Sequence, residues 1–97
     1  MKNLEEIKGK LRELKPILEE KFKVVDIGLF GSYLRADQSG GNDIDVLIEF
    51  SEPIGFFEFT ELEDFLSERL GAKVDLVMRN SLKPRIKEKI LKEAVYV

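Results

Sequence analysis

Cysteine and histidine are both absent from this 97-residue sequence. Without cysteine there are no disulfides, no thiol nucleophile and no thiolate-bound zinc. Without histidine there is no imidazole base and no imidazole metal ligand. A metal bound here must sit among oxygen atoms, which favours Mg²⁺ or Mn²⁺ over zinc. A side-chain general base must by the same elimination be a carboxylate. No apolar run approaches the roughly 20 residues that a membrane span needs. The start, Met1-Lys2-Asn3-Leu4-Glu5-Glu6, mixes charges and lacks a signal-peptide apolar stretch, so the expected location is cytoplasmic, away from membranes.

The chain carries 43% hydrophobic residues, ordinary for a globular protein, and its length predicts a single domain over residues 1–97. Its net charge is −3, with 36% charged residues of both signs. A nucleic-acid grip ordinarily needs a net basic face, so the overall balance argues against direct binding of nucleic acid.

Leu4, Ile7, Leu11, Leu14 and Leu18 recur at helical spacing. Pro16 falls within that stretch and predicts a kink, or a second short helix beginning there. Lys23 to Phe30 reads as a strand ended by Gly31, followed by a helical turn over Ser32 to Ala36 and a loop from Asp37 to Asn42. Asp43 to Phe50 alternates, with Ile44, Val46 and Ile48 on one face and Asp43, Asp45, Leu47 and Glu49 on the other. Phe56 to Leu70 is helical, with Gly71 as its C-terminal cap. Lys73 to Met78 is a third strand, and Ser81 to Ala94 a last helix that turns Ile86, Ile90 and Leu91 inward. The expected architecture is α/β (α+β) in the order α-β-α-β-α-β-α, with a small mixed three-stranded sheet covered by helices.

The chemistry concentrates in Phe30-Gly31-Ser32-Tyr33-Leu34-Arg35 and, after a spacer, Asp43-Ile44-Asp45. A Gly-Ser turn after an apolar run presents backbone N–H groups and a hydroxyl to a phosphate. Carboxylates at i and i+2 of a strand point to the same side and can hold a divalent cation. Asp75 repeats the pattern, an acid between Val74 and Leu76. Three acids on one small sheet repel one another unless a cation lies between them, and two ions about 4 Å apart would clamp a triphosphate. Asp75 is also a candidate to accept the proton of an incoming hydroxyl.

In these residues the chain resembles the minimal nucleotidyltransferases of the DNA polymerase β-like superfamily. Their pattern is a Gly-Ser, a spacer near ten residues, an Asp-x-Asp and a third acid on a later strand. Gly31-Ser32, Asp43-Ile44-Asp45 and Asp75 match it, and Leu29-Phe30-Gly31-Ser32-Tyr33-Leu34-Arg35 is similar to the family's Leu-Phe-Gly-Ser-x-Ala-Arg. Leu34 departs from the usual small residue and Asn42 from the usual Ser, but neither change removes a candidate ligand. The resemblance implies Asp43, Asp45 and Asp75 as metal-binding and catalytic residues, and Gly31, Ser32 and Arg35 as nucleotide-binding ones. It implies Mg²⁺ as cofactor, two ions with Mn²⁺ as a substitute, and ATP as substrate. The implied reaction moves AMP from ATP to a hydroxyl. In the family's type VII toxin–antitoxin pairs that hydroxyl belongs to a tyrosine of a HEPN-domain toxin encoded by an adjacent gene. Two alternatives stand beside this: a non-catalytic antitoxin that acts by docking, and a nucleotidyltransferase for a small molecule or a tRNA end.

The small size of the chain leaves little room for an acceptor site, which argues that another molecule presents the acceptor. Lys83, Arg85, Lys87, Lys89 and Lys92 make the last helix basic, most simply as a solvated face. Phe56 and Phe57, next to a turn, are candidates for partial exposure at a protein interface.

Overall fold

The computed structural model describes residues 4–31 and 43–97. Helix α1 spans Leu4–Phe22 and buries Ile7, Leu11, Leu14, Leu18 and Phe22. Pro16 lies inside it without dividing it. The proline and Arg12, whose carbonyl loses its partner, are both exposed, so water can satisfy that carbonyl while Leu14 and Leu18 hold the helix to the core. The helix ends at Lys23, which takes the left-handed φ of 61°.

Strand β1, Val24–Phe30, leads towards Gly31. Strand β2, Ile44–Phe50, runs antiparallel to it, with a bulge between Val24 and Asp26. Helix α2, Phe56–Leu70, opens with the Glu58 carboxylate accepting the Gly55 N–H at 3.1 Å. It closes with Gly71 donating to Ser67 O at 3.0 Å, the expected glycine cap. Strand β3, Val74–Met78, lies parallel to β2, as expected of strands joined through a helix. A 3₁₀ turn at Arg79–Ser81 leads to helix α3, Pro84–Glu93, which begins one turn later than Ser81 because Pro84 is favoured in the first helical turn.

The sheet is mixed, as expected, but it has four strands in the order β3-β2-β1-β4. The addition is β4, Val95–Tyr96, antiparallel to β1. Two residues are too few for an alternation to be visible. What admits them is Gly28, opposite Tyr96, where a Cβ would stand 3.1 Å from the tyrosine ring.

One face of the sheet forms the core. Ile27, Leu29, Ile44, Val46, Ile48, Val74 and Leu76 pack there with the apolar stripes of α1 and α2, and Leu62, Leu66 and Leu70 are fully buried. The rings of Phe22 and Phe65 join the two helices at 5.5 Å. No polar side chain is buried among the described residues. The opposite face carries Asp45, Leu47 and Glu49 on β2 and Asp75 and Val77 on β3. Helix α3 does not turn its apolar residues fully inward: none is buried, and Ile86 is 48% exposed. A ten-residue helix with four cations and two acids has too narrow an apolar stripe to compete with α1 and α2 for the core.

Candidate active site

The site assembles at one end of the sheet from three strand ends. Because β1 and β2 are antiparallel, the end of β1 meets the start of β2, and Phe30 lies opposite Asp45. Because β2 and β3 are parallel, their starts lie together, and Asp45 is the register partner of Asp75. Adjacent strands are about 4.8 Å apart, so these two side chains share one surface. Both are half-buried between buried residues, Ile44 and Val46 in one strand and Val74 and Leu76 in the other. Asp43 precedes β2 and is also half-buried. Ile44 N–H, immediately after it, donates to Lys73 O at 2.8 Å and sews the starts of the two strands together.

Gly31 belongs to the same corner for a reason that spacing alone did not disclose. Its φ is +80°, a conformation that side chains rarely adopt. A Cβ there would also overlap the Asp45 carboxylate, approaching its Cγ to 3.0 Å. Glycine is needed for the turn and for the room it leaves to Asp45. Ser32 and Arg35, the other two nucleotide-binding candidates, lie outside the described residues, as does the expected loop from Asp37 to Asn42.

The donors brought together at this corner are carboxylate oxygens, the right chemistry for a hard divalent cation such as Mg²⁺. Among the described residues no three acids converge into a finished cation cage. The fit therefore rests on donor type and strand register.

Two further features were not visible in the sequence. Glu49, on the same face two residues beyond Leu47, pairs with Arg79 at 3.2 Å. Glu63 and Ser67 of α2 hydrogen-bond the backbone of β3 on either side of Asp75. In a helical pattern both simply flank the apolar stripe, and only the packing of α2 beside β3 gives them partners. A cleft of about 420 Å³ lies at the other ends of β2 and β3, lined by residues including Phe50, Pro53, Met78 and Arg79. It is remote from the acids and belongs to a different part of the surface.

The chain matches the model of the nucleotidyltransferase domain family over residues 11–97. A Methanocaldococcus jannaschii protein, MJ0128, whose name describes a protein adenylyltransferase, is 50% identical over the whole of both chains. Protein adenylyltransferase MntA of Thermococcus cleftensis is 45% identical, over all of this chain and 98% of the relative. A solved structure described as a minimal nucleotidyltransferase superposes with a TM-score of 0.78 at 31% identity, covering 97% of this chain and 95% of the other. A toxin–antitoxin crystal structure with AMP-PNP superposes with a TM-score of 0.72 at 26% identity, covering 91% of this chain and 69% of that one. On these likenesses the chain belongs to the nucleotidyltransferase domain family as one of its minimal, enzymatic members.

Proposed function

We propose that residues 1–97 act as one catalytic domain that transfers AMP from ATP to a tyrosine hydroxyl of a HEPN-domain toxin, and so serve as the antitoxin of a type VII pair in the cytoplasm. The observation that carries the reading is the register that sets Asp45 beside Asp75 and against Gly31 on the face away from the core. The adenylyltransferase relatives and the likeness to a toxin–antitoxin structure with AMP-PNP support it.

Asp43, Asp45 and Asp75 would hold Mg²⁺, which when bound neutralises phosphate charge and makes the α-phosphorus more open to attack. Gly31 and Ser32 would offer backbone N–H groups and a hydroxyl to the triphosphate, and Arg35 a guanidinium. Asp75 accepts the proton of the tyrosine hydroxyl as its oxygen bonds to the α-phosphorus. The bond from the α-phosphorus to the bridging oxygen breaks, and pyrophosphate leaves. The partner supplies the acceptor, so the chain needs only the nucleotide half of the site.

The test is incubation of the chain with α-labelled ATP, Mg²⁺ and the product of the adjacent gene. Label should reach the partner, and Asp43→Asn and Asp45→Asn should abolish it. Unchanged labelling in both variants would sink the ligand assignment. Full protection of cells by those variants would favour neutralisation by docking, and labelling of RNA in place of the partner would point to a tRNA acceptor.

A further inference from the structure

Among the described residues β3 is an edge strand, paired only with β2. The outward N–H groups of an edge strand ordinarily face water. Here two of them are taken. Val74 N–H donates to Ser67 Oγ at 2.9 Å, and Leu76 N–H donates to Glu63 Oε2 at 2.9 Å. The Ser67 hydroxyl in turn donates to Glu63 O at 2.9 Å, one turn back along the helix. All three bonds are part-buried.

The spacing explains how one helix reaches both amides. Residues four apart on a helix rise by about 6 Å. Alternate residues of a strand are about 6.6 Å apart, and their N–H groups point to the same edge. The order is reversed, Glu63 to Leu76 and Ser67 to Val74, because α2 runs against β3. Asp75 lies between the two clamped amides, and by alternation its own N–H faces β2, where Asp45 is its partner. The backbone around Asp75 is thus held from both edges. Serine is a poorer helix former than alanine, so Ser67 in the last turn of α2 costs helix stability that this bond offsets.

We propose that Glu63 and Ser67 are positioning residues for Asp75, holding it in line with Asp45 for cation binding and proton acceptance. The proposal rests on the reading of Asp75 as a metal ligand and base. A five-residue edge strand tied on one side frays and twists, and a misplacement of about 1 Å at a reacting group can cost about 100-fold in rate.

The test uses the full chain as Ser67→Ala, Glu63→Ala, the double variant and Glu63→Gln, which keeps an oxygen acceptor. Three quantities are read: amide exchange at Val74 and Leu76, Mn²⁺ affinity by electron paramagnetic resonance, and kcat and KM for AMP transfer to the partner. Exchange should quicken at both amides in the double variant. Mn²⁺ affinity and kcat should each fall about 10-fold, the lower end of the range for residues that orient ligands, with KM for ATP within about 2-fold. Glu63→Gln should restore most of the loss. If the double variant does not fold, Ser67→Ala alone carries the test through Val74 exchange and Mn²⁺ affinity.

Unchanged Mn²⁺ affinity and kcat in the folded alanine variants, beside an inactive Asp75→Asn, would overturn the proposal and leave the reading of Asp75 intact. Full activity in Asp75→Asn would overturn that reading and the proposal with it. A Glu63→Gln variant as impaired as Glu63→Ala would show that charge, and not the bond to Leu76, matters, and would also overturn it.

Discussion

The two faces of the sheet are made from the same strands by opposite rules. On the core face every position is apolar, and α1 and α2 cover it with fully buried side chains such as Leu11, Leu18, Leu62 and Leu66. On the other face Asp45, Glu49 and Asp75 stand half-buried, and the helix that closes the chain buries none of its residues. The core face supplies the stability that lets the acidic face keep like charges side by side. Stability and chemistry are thereby separated by the thickness of one sheet, and substitutions on the two faces should divide in the same way.

The largest effect should come from the core. Leu11→Ala should lose about 2–5 kcal/mol in urea unfolding, the range for emptying a packed site. Asp45→Asn should do the reverse, lowering AMP transfer by at least about 100-fold while costing less stability than Leu11→Ala. A large stability change in Asp45→Asn would break the separation of the faces.

Gly31→Ala falls between the two, because it touches backbone and carboxylate together. It should destabilise by about 1–3 kcal/mol and also lower activity, read from unfolding curves and labelling rates of the same preparation. Ile86→Ser and Phe57→Ser should shift stability by less than about 0.5 kcal/mol, since Ile86 is 48% and Phe57 85% exposed. A larger loss for Ile86 in thermal unfolding would mean that α3 contributes to the core.

The smallest effect lies away from both faces. The Glu52 carboxylate accepts a hydrogen bond from Lys23 at 2.7 Å and raises its pKa above the ordinary 10.5. A raised pKa means that the folded state holds the proton more tightly. The contribution is complete below the unfolded value and is lost as pH rises through the folded one. Thermal unfolding at about pH 9 and about pH 12 should show a slightly smaller alkaline loss in Glu52→Gln than in the parent chain.

Much of this was legible in one dimension. The stripes of α1 and α2, the alternation of β2 and β3, the glycine cap and the acids at positions 43, 45 and 75 are local patterns with short periods. What escaped were features that depend on distant neighbours. Pro16 sits within one helix because the core holds that helix on both sides. Residues 95–96 form a strand because β1 has an open edge and a glycine opposite Tyr96. Glu63 and Ser67 have no sequence signal at all, since their partners are backbone amides that any residues would carry.

By itself, then, the sequence determined the chemistry available: oxygen ligands only, a carboxylate as the base, a Gly-Ser pair and three acids in or beside strands. It did so because side-chain identity settles which atoms a protein can offer. Only the tertiary structure decided which of them meet. Antiparallel pairing brought Gly31 to Asp45, parallel pairing brought Asp75 beside it, and α2 clamped the edge that carries Asp75. Register is a property of paired backbones, and no single strand contains it.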